Sequence, residues 1–205
     1  LFPSLKRTDS PRARIGAEPA AGFAKIRHQH PMLSLDNAFD PQGVVDFIGR
    51  IKRFLARKDD GEIELNVEPK IDGLSANLRY EDGAFTIGAT RGDGTVGEDI
   101  TANLKHVAGI PATLKDSKPP KLIEIRGEVY FPHDAFFALN KEREKAGEPV
   151  FANPGNAGAG SVRQLDPNIT KSRPLHFFAY AFGEVQGWKN EPKRHSEALD
   201  RLKKW

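Results

Sequence analysis

Residues 74–90 constrain the fold more than any other stretch of the chain. Residues 74–80 alternate apolar and polar side chains, Asp82-Gly83 follows, and residues 84–90 alternate again. A period of two on both sides of an Asp-Gly pair specifies a β-hairpin, because that pair tolerates the positive φ angles of a turn whose twist matches paired strands. Such a hairpin is marginal alone and needs further strands and a covering layer for its apolar face. Residues 63–67 read as a short strand, residues 122–131 as a strand stopped by Pro132, and residues 175–185 as an aromatic strand.

Helices are spaced between them. Asp40 is placed to cap a helix that has Pro41 at its first position and Val44, Phe47, Ile48, Ile51, Phe54 and Leu55 on one face, and this helix should pack on a sheet. Asp99 is placed to cap a short helix ending near residues 109–111. A helix over residues 133–146 ends at Gly147, and a last amphipathic helix covers residues 192–204. Two glycine-rich stretches, 91–97 and 153–160, read as loops. No internal repeat or low-complexity tract interrupts this order, which is mixed α+β with a largely antiparallel sheet.

Residues 1–30 contain Pro3, Pro11, Pro19, Gly16 and Gly22 without a sustained pattern, and read as an extended wrap or linker leaving something upstream, ahead of a domain over residues 31–205. Their six Lys and Arg face two Asp and Glu, whereas residues 31–162 carry 16 against 21 and residues 163–205 nine against five. The net charge of +3 permits a polyanion partner without requiring one. No apolar run approaches the roughly 20 residues of a membrane-spanning helix. The absence of Cys removes disulfides, thiolate nucleophiles and cysteine zinc sites. The first residues lack the basic-then-apolar order of a secretory signal, so a cytoplasmic location is expected. His28 and His30 lack a third ligand at metal-binding spacing and read as surface histidines.

The chemistry concentrates at Glu68-Pro69-Lys70-Ile71-Asp72-Gly73. A lysine at a strand end, flanked by carboxylates and a glycine, is held on a rigid element. With a free pKa of about 10.4, it needs burial or nearby positive charge to present a neutral amine near neutral pH. On spacing alone, a salt-bridged strand-end lysine and a nucleophile both remain open. Glu128 likewise reads either as a ligand group or as a cross-strand partner of Arg126 or another neighbour.

Further motifs follow in order: Ala89-Thr90-Arg91-Gly92-Asp93-Gly94-Thr95-Val96-Gly97-Glu98-Asp99, then Ile125-Arg126-Gly127-Glu128-Val129, then Phe151-Ala152-Asn153-Pro154. Together with Lys70-Ile71-Asp72-Gly73, with Pro31-Met32-Leu33-Ser34-Leu35-Asp36-Asn37 upstream and with Ser161-Val162-Arg163-Gln164-Leu165 downstream, this set closely resembles the adenylation domain of bacterial NAD-dependent DNA ligases. The resemblance covers roughly residues 8–185. A bare Lys-x-Asp-Gly is also found in ATP-dependent ligases and capping enzymes, whereas the ordered set is specific.

The resemblance implies a nucleotidyltransferase fold, ATP-grasp-like, with largely antiparallel sheets and flanking helices. It implies that Lys70 attacks the α-phosphorus of NAD, becomes linked to AMP and expels nicotinamide mononucleotide. It further implies that Glu68 accepts from the adenine amino group, that Ser34 and Leu35 line the adenine pocket, that Arg91 contacts the sugar-phosphate region and that Glu128 binds the ribose hydroxyls. Asp72 is assigned to organising Lys70, a metal or the transferring phosphate. These residue types suit those partners: carboxylates accept from amino and hydroxyl groups, and guanidinium makes forked contacts to phosphate. Mg²⁺ is implied as a cofactor, with no protein ligands assigned to it. Nicked double-stranded DNA is the implied partner of a monomeric, nucleoid-associated enzyme without membrane attachment.

Gly155 departs from the pattern, since the family usually has Arg there, and this puts DNA contact by its loop in question. The resemblance also implies that the chain is a fragment, lying after a small domain that grips nicotinamide mononucleotide and before the strands and domains that complete a ligase. Two rival readings stand beside it: a catalytically silent nucleotide- or DNA-binding module on the same fold, and another lysine nucleotidyltransferase that uses ATP or caps RNA.

Overall fold

The hairpin expected over residues 74–90 lies inside a four-stranded antiparallel sheet in the computed structural model, which describes residues 22–57, 59 and 61–205. In chain order the elements are β1 (Lys25–Arg27), α1 (Pro41–Phe54), β2 (Leu74–Glu81), β3 (Ala84–Thr90), β4 (Val96–Glu98) and α2 (Thr101–Leu104). They continue with β5 (Leu122–Tyr130), α3 (His133–Lys145), α4 (Pro154–Val162), α5 (Pro167–Lys171), β6 (His176–Gln186) and α6 (His195–Lys204). The chain divides into two units. One holds the described residues up to Met32 together with Lys70–Trp205, and the other is Leu33–Pro69.

In the first unit the sheet order is β3-β2-β5-β6, with every neighbouring pair antiparallel. Asp82 and Gly83 turn the hairpin with φ of 47° and 84°, the double positive φ of a type I′ turn. Alternation then sorts the side chains. Ala76, Leu78 and Tyr80 on β2 and Ile123, Ile125 and Val129 on β5 are buried in the core, where they meet Ile100, Leu104, Phe136, Val162 and Leu175. Ser75, Asn77 and Arg79 fall on the opposite face, in register with Glu128, Arg126 and Glu124. The sheet therefore has one apolar face in the core and one face of charged and polar groups.

Of the extended leader expected over residues 1–30, residues 1–21 lie outside the described residues. Beyond them Lys25–Arg27 pairs antiparallel with Val96–Glu98 as a two-stranded sheet. The loop expected over residues 153–160 is instead helix α4. Asn153 caps it, its side chain accepting from the Asn156 N–H at 2.7 Å, and Pro154 occupies the first turn. These start signals and the burial of Ala157 and Val162 outweigh the low helix propensity of three glycines. The helix after Asp99 is shorter than expected: α2 ends at Leu104, although Asp99 does accept from the Thr101 N–H at 3.0 Å. Helix α6 begins at His195 rather than residue 192, and α5, capped by Asp166, has no counterpart in the sequence reading.

In the second unit α1 starts where the sequence placed it, with Asp40 accepting from the Gly43 N–H at 2.7 Å. None of its residues is buried. The described residues of this unit contain no strand, so the sheet expected beneath α1 is not part of its unit, and residues 63–67 do not form the expected strand. Apolar alternation makes a strand only where a second strand supplies the hydrogen-bonding ladder.

Candidate functional site

The polar face of the first unit opens into a cavity of about 310 Å³ whose lining includes Lys70, Asp72, Ser75, Arg91, Glu128 and Arg163. Strand pairing brings these residues together from separate segments. Lys70 and Asp72 lead into β2, where a Cβ on Gly73 would lie 2.1 Å from the Val129 carbonyl oxygen. Only glycine lets the backbone approach β5 that closely, and the lysine-bearing turn is thereby set against the strand that carries Glu128. Register places Ser75 opposite Glu128.

Glu128 is 9% exposed and accepts a hydrogen bond from the Ser75 hydroxyl at 2.8 Å. Burial pushes its carboxyl above the ordinary value, while the Ser75 hydrogen bond and the charges of Lys70 and Arg91 pull the other way. Its cross-strand partner is Ser75, not Arg126. The Arg126 guanidinium donates instead to the carbonyls of Pro31 at 3.0 Å and His30 at 2.5 Å. Tyr180 on β6 is also held near Glu128; burial raises its phenol, and the Glu128 charge raises it further.

Arg91 follows β3, and its N–H donates to the Ser75 carbonyl at 3.0 Å. The loop after it is built by its own bonds. Asp93 accepts from the N–H groups of Thr95 and Val96, both at 2.8 Å, which holds its carboxyl below the ordinary value. His28, expected on the surface, is buried at 4% exposure, and its Nε2 lies 3.0 Å from the Thr90 carbonyl and 3.2 Å from that of Arg91. Pairing of β1 with β4 carries it under this loop, a placement that no local pattern announces. His30 is exposed.

Also lining the cleft, Arg163 forms a forked pair with buried Glu98, with Nε at 2.8 Å from Oε2 and Nη2 at 2.5 Å from Oε1. Asp72 faces the first turn of α4, where a Cβ on Gly155 would stand 2.7 Å from its Oδ1. Lys70, Asp72, Arg91 and Glu128 therefore share one cleft. Ser34, Leu35 and Glu68 belong to the Leu33–Pro69 unit, in which Ser34 and Leu35 are exposed and Glu68 accepts from the Asn66 side chain at 2.8 Å.

Ser75, Arg163 and Glu98 are polar and charged residues of the cleft to which the sequence alone assigns no role. Ser75 was detectable as a polar position in the alternation of β2. The long-range pairing of Arg163 with Glu98 had no local signal. Among the described residues no three His, Asp or Glu side chains converge to hold a metal ion, so the expected Mg²⁺ finds no protein cage in them. The described helices include none long and apolar enough to cross a membrane.

The fold and cleft define a mixed α/β domain with an antiparallel sheet whose polar face offers two cations, Lys70 and Arg91, beside a hydrogen-bonding carboxylate. Such a surface suits a ligand that combines anionic and hydroxyl groups. The chain belongs to the NAD-dependent DNA ligase adenylation domain family, whose model matches residues 20–205. It is 54% identical over its whole length to a DNA ligase of Parvibaculum lavamentivorans, of which it spans 28%. It is 52% identical, again over its whole length, to DNA ligases of Azorhizobium caulinodans and Geobacter sulfurreducens, of which it spans 28% and 30%. The chain thus covers under a third of the length of the curated relatives it matches.

Proposed function

We propose that this chain is the adenylylating part of a bacterial, cytoplasmic NAD-dependent DNA ligase, with a nucleotidyltransferase fold. The observation that carries this reading is the convergence of Lys70, Asp72, Arg91 and Glu128 on one open cleft, in a chain of this family. Lys70 is exposed at the cleft, and its amine, after losing a proton to solvent, attacks the α-phosphorus of NAD. A phosphorus–nitrogen bond forms, the pyrophosphate phosphorus–oxygen bond breaks, and nicotinamide mononucleotide leaves with the bonding electrons.

Arg91, whose backbone is held after β3 by the bond to the Ser75 carbonyl, neutralises phosphate charge during this step. Glu128 receives a ribose hydroxyl, and Asp72 orients the Lys70 amine. Ser34 and Leu35 contact adenine, and Glu68 accepts from its amino group. The adenylyl group then passes to the 5′-phosphate of a nick in duplex DNA, and attack by the 3′-hydroxyl seals the strand and releases AMP. The enzyme acts on nicked DNA as a monomer.

The test is intact mass of the full-length protein carrying this chain, after incubation with NAD or with ATP. One adenylyl group should be gained from NAD alone and lost in Lys70→Arg, which keeps the charge in a group that does not deprotonate near neutral pH. An adduct retained by Lys70→Arg would remove Lys70 from its role, and adenylylation from ATP would assign the chain to a different nucleotidyltransferase.

A further inference from the structure

Ser75 is the one hydroxyl side chain bonded to Glu128 among the described residues, and it lines the same cleft. It stands on β2 directly opposite Glu128 on β5, while β6, on the other flank of β5, carries Tyr180, whose phenol feels both the Glu128 charge and the Ser75 hydroxyl. The two strands on either side of β5 thus deliver one hydroxyl-bearing side chain each to the neighbourhood of a single buried carboxylate.

The Ser75 bond goes to Oε2 alone. A carboxylate has two oxygens and about four acceptor sites, so a donor on one oxygen sets the plane of the group and leaves the other oxygen for a further partner. Opposing this hold, Lys70 and Arg91 both attract the Glu128 charge. Released from Ser75, the carboxylate would be drawn toward these cations, which a phosphate-bearing ligand needs for itself.

We propose that Ser75 is a positioning residue for sugar recognition: by occupying Oε2 of Glu128 it presents Oε1 to a ribose hydroxyl and makes the cleft selective for adenine ribonucleotides over their dideoxy counterparts. This rests on the reading of Glu128 as the sugar acceptor. It assigns to Ser75 a function in selectivity, because a merely structural serine would support both kinds of nucleotide alike.

The experiment is calorimetric titration of the full chain with AMP and with 2′,3′-dideoxy-AMP, comparing wild type, Ser75→Ala, Ser75→Thr and Glu128→Gln. Wild type should prefer AMP. Ser75→Ala should lose about five- to tenfold in AMP affinity, the usual worth of one such hydrogen bond, with dideoxy-AMP binding unchanged. Ser75→Thr, which keeps the hydroxyl, should restore the preference, and Glu128→Gln should weaken it. Should wild type prefer AMP and Ser75→Ala retain the same preference, or lose affinity for both nucleotides equally, the role of Ser75 is overturned while Glu128 keeps its own. Absence of AMP binding or of any ribose preference in wild type would overturn the reading of Glu128 and the inference with it.

Discussion

Arg163 grips Glu98 through two parallel hydrogen bonds, and Glu98 is only 2% exposed while the arginine side chain is 33% exposed. The pair joins the end of α4 to β4, two elements 65 residues apart in sequence. A forked guanidinium–carboxylate geometry is specific to arginine, so lysine retains the charge without the fork.

Removing that guanidinium takes the forked pair away from a carboxylate that is only 2% exposed. Arg163→Met should therefore destabilise the chain by about 3 kcal/mol, the lower end for broken buried pairs because Arg163 is partly hydrated. Arg163→Lys should cost less. Urea unfolding measures both, and equal stability of Arg163→Met and wild type would show that the pair contributes nothing to the fold.

Glu128 makes a prediction about pH. Its folded-state carboxyl is raised, chiefly by burial, so the folded chain binds this proton more tightly than the unfolded chain. The resulting stabilisation is fully present below the ordinary carboxyl value and is lost as pH rises through the raised one. Glu128→Gln cannot titrate. The stability of wild type relative to Glu128→Gln should fall across that interval and then level off, as followed by thermal melts at stepped pH; a difference that rises with pH would contradict burial as the dominant influence.

Gly155 separates fold from chemistry. A Cβ there would stand 2.7 Å from Asp72 Oδ1, but a side-chain end can rotate away. Gly155→Ala should thus leave the fold intact, and the better helix former should add up to about 1 kcal/mol of stability in the first turn of α4. The displaced Asp72 should at the same time slow transfer of the adenylyl group to Lys70 in the full-length protein. Single-turnover adenylylation alongside denaturant unfolding checks both, and an unchanged rate would show that the seat of Asp72 beside α4 does not matter to the reaction.

The parts of the fold legible in the sequence are those set by neighbours in the chain. Asp82-Gly83 dictates its own turn, Asp40-Pro41 supplies its own helix start, and the alternation of β5 and the aromatic run of β6 mark them as strands. The ordered motifs around Lys70, Arg91 and Glu128 carried the family by sequence alone, and the family model matches nearly the whole chain.

The rest depends on contacts between distant residues, whose free energy no local window contains. Residues 63–67 alternate like a strand yet lack a pairing partner in their unit, and residues 153–160 look like a loop until Asn153 caps them and Ala157 and Val162 are buried. His28 resembles any surface histidine until β1 pairs with β4 and carries it beneath the Arg91 loop. The sequence by itself determined the hairpin and the starts of α1 and α3, because those depend on backbone preference and local side-chain chemistry. Only the tertiary structure decided that Ser75 would face Glu128, that Arg163 would hold Glu98 and that Asp72 would lie against Gly155, because strand register and helix docking are fixed by burial of the core.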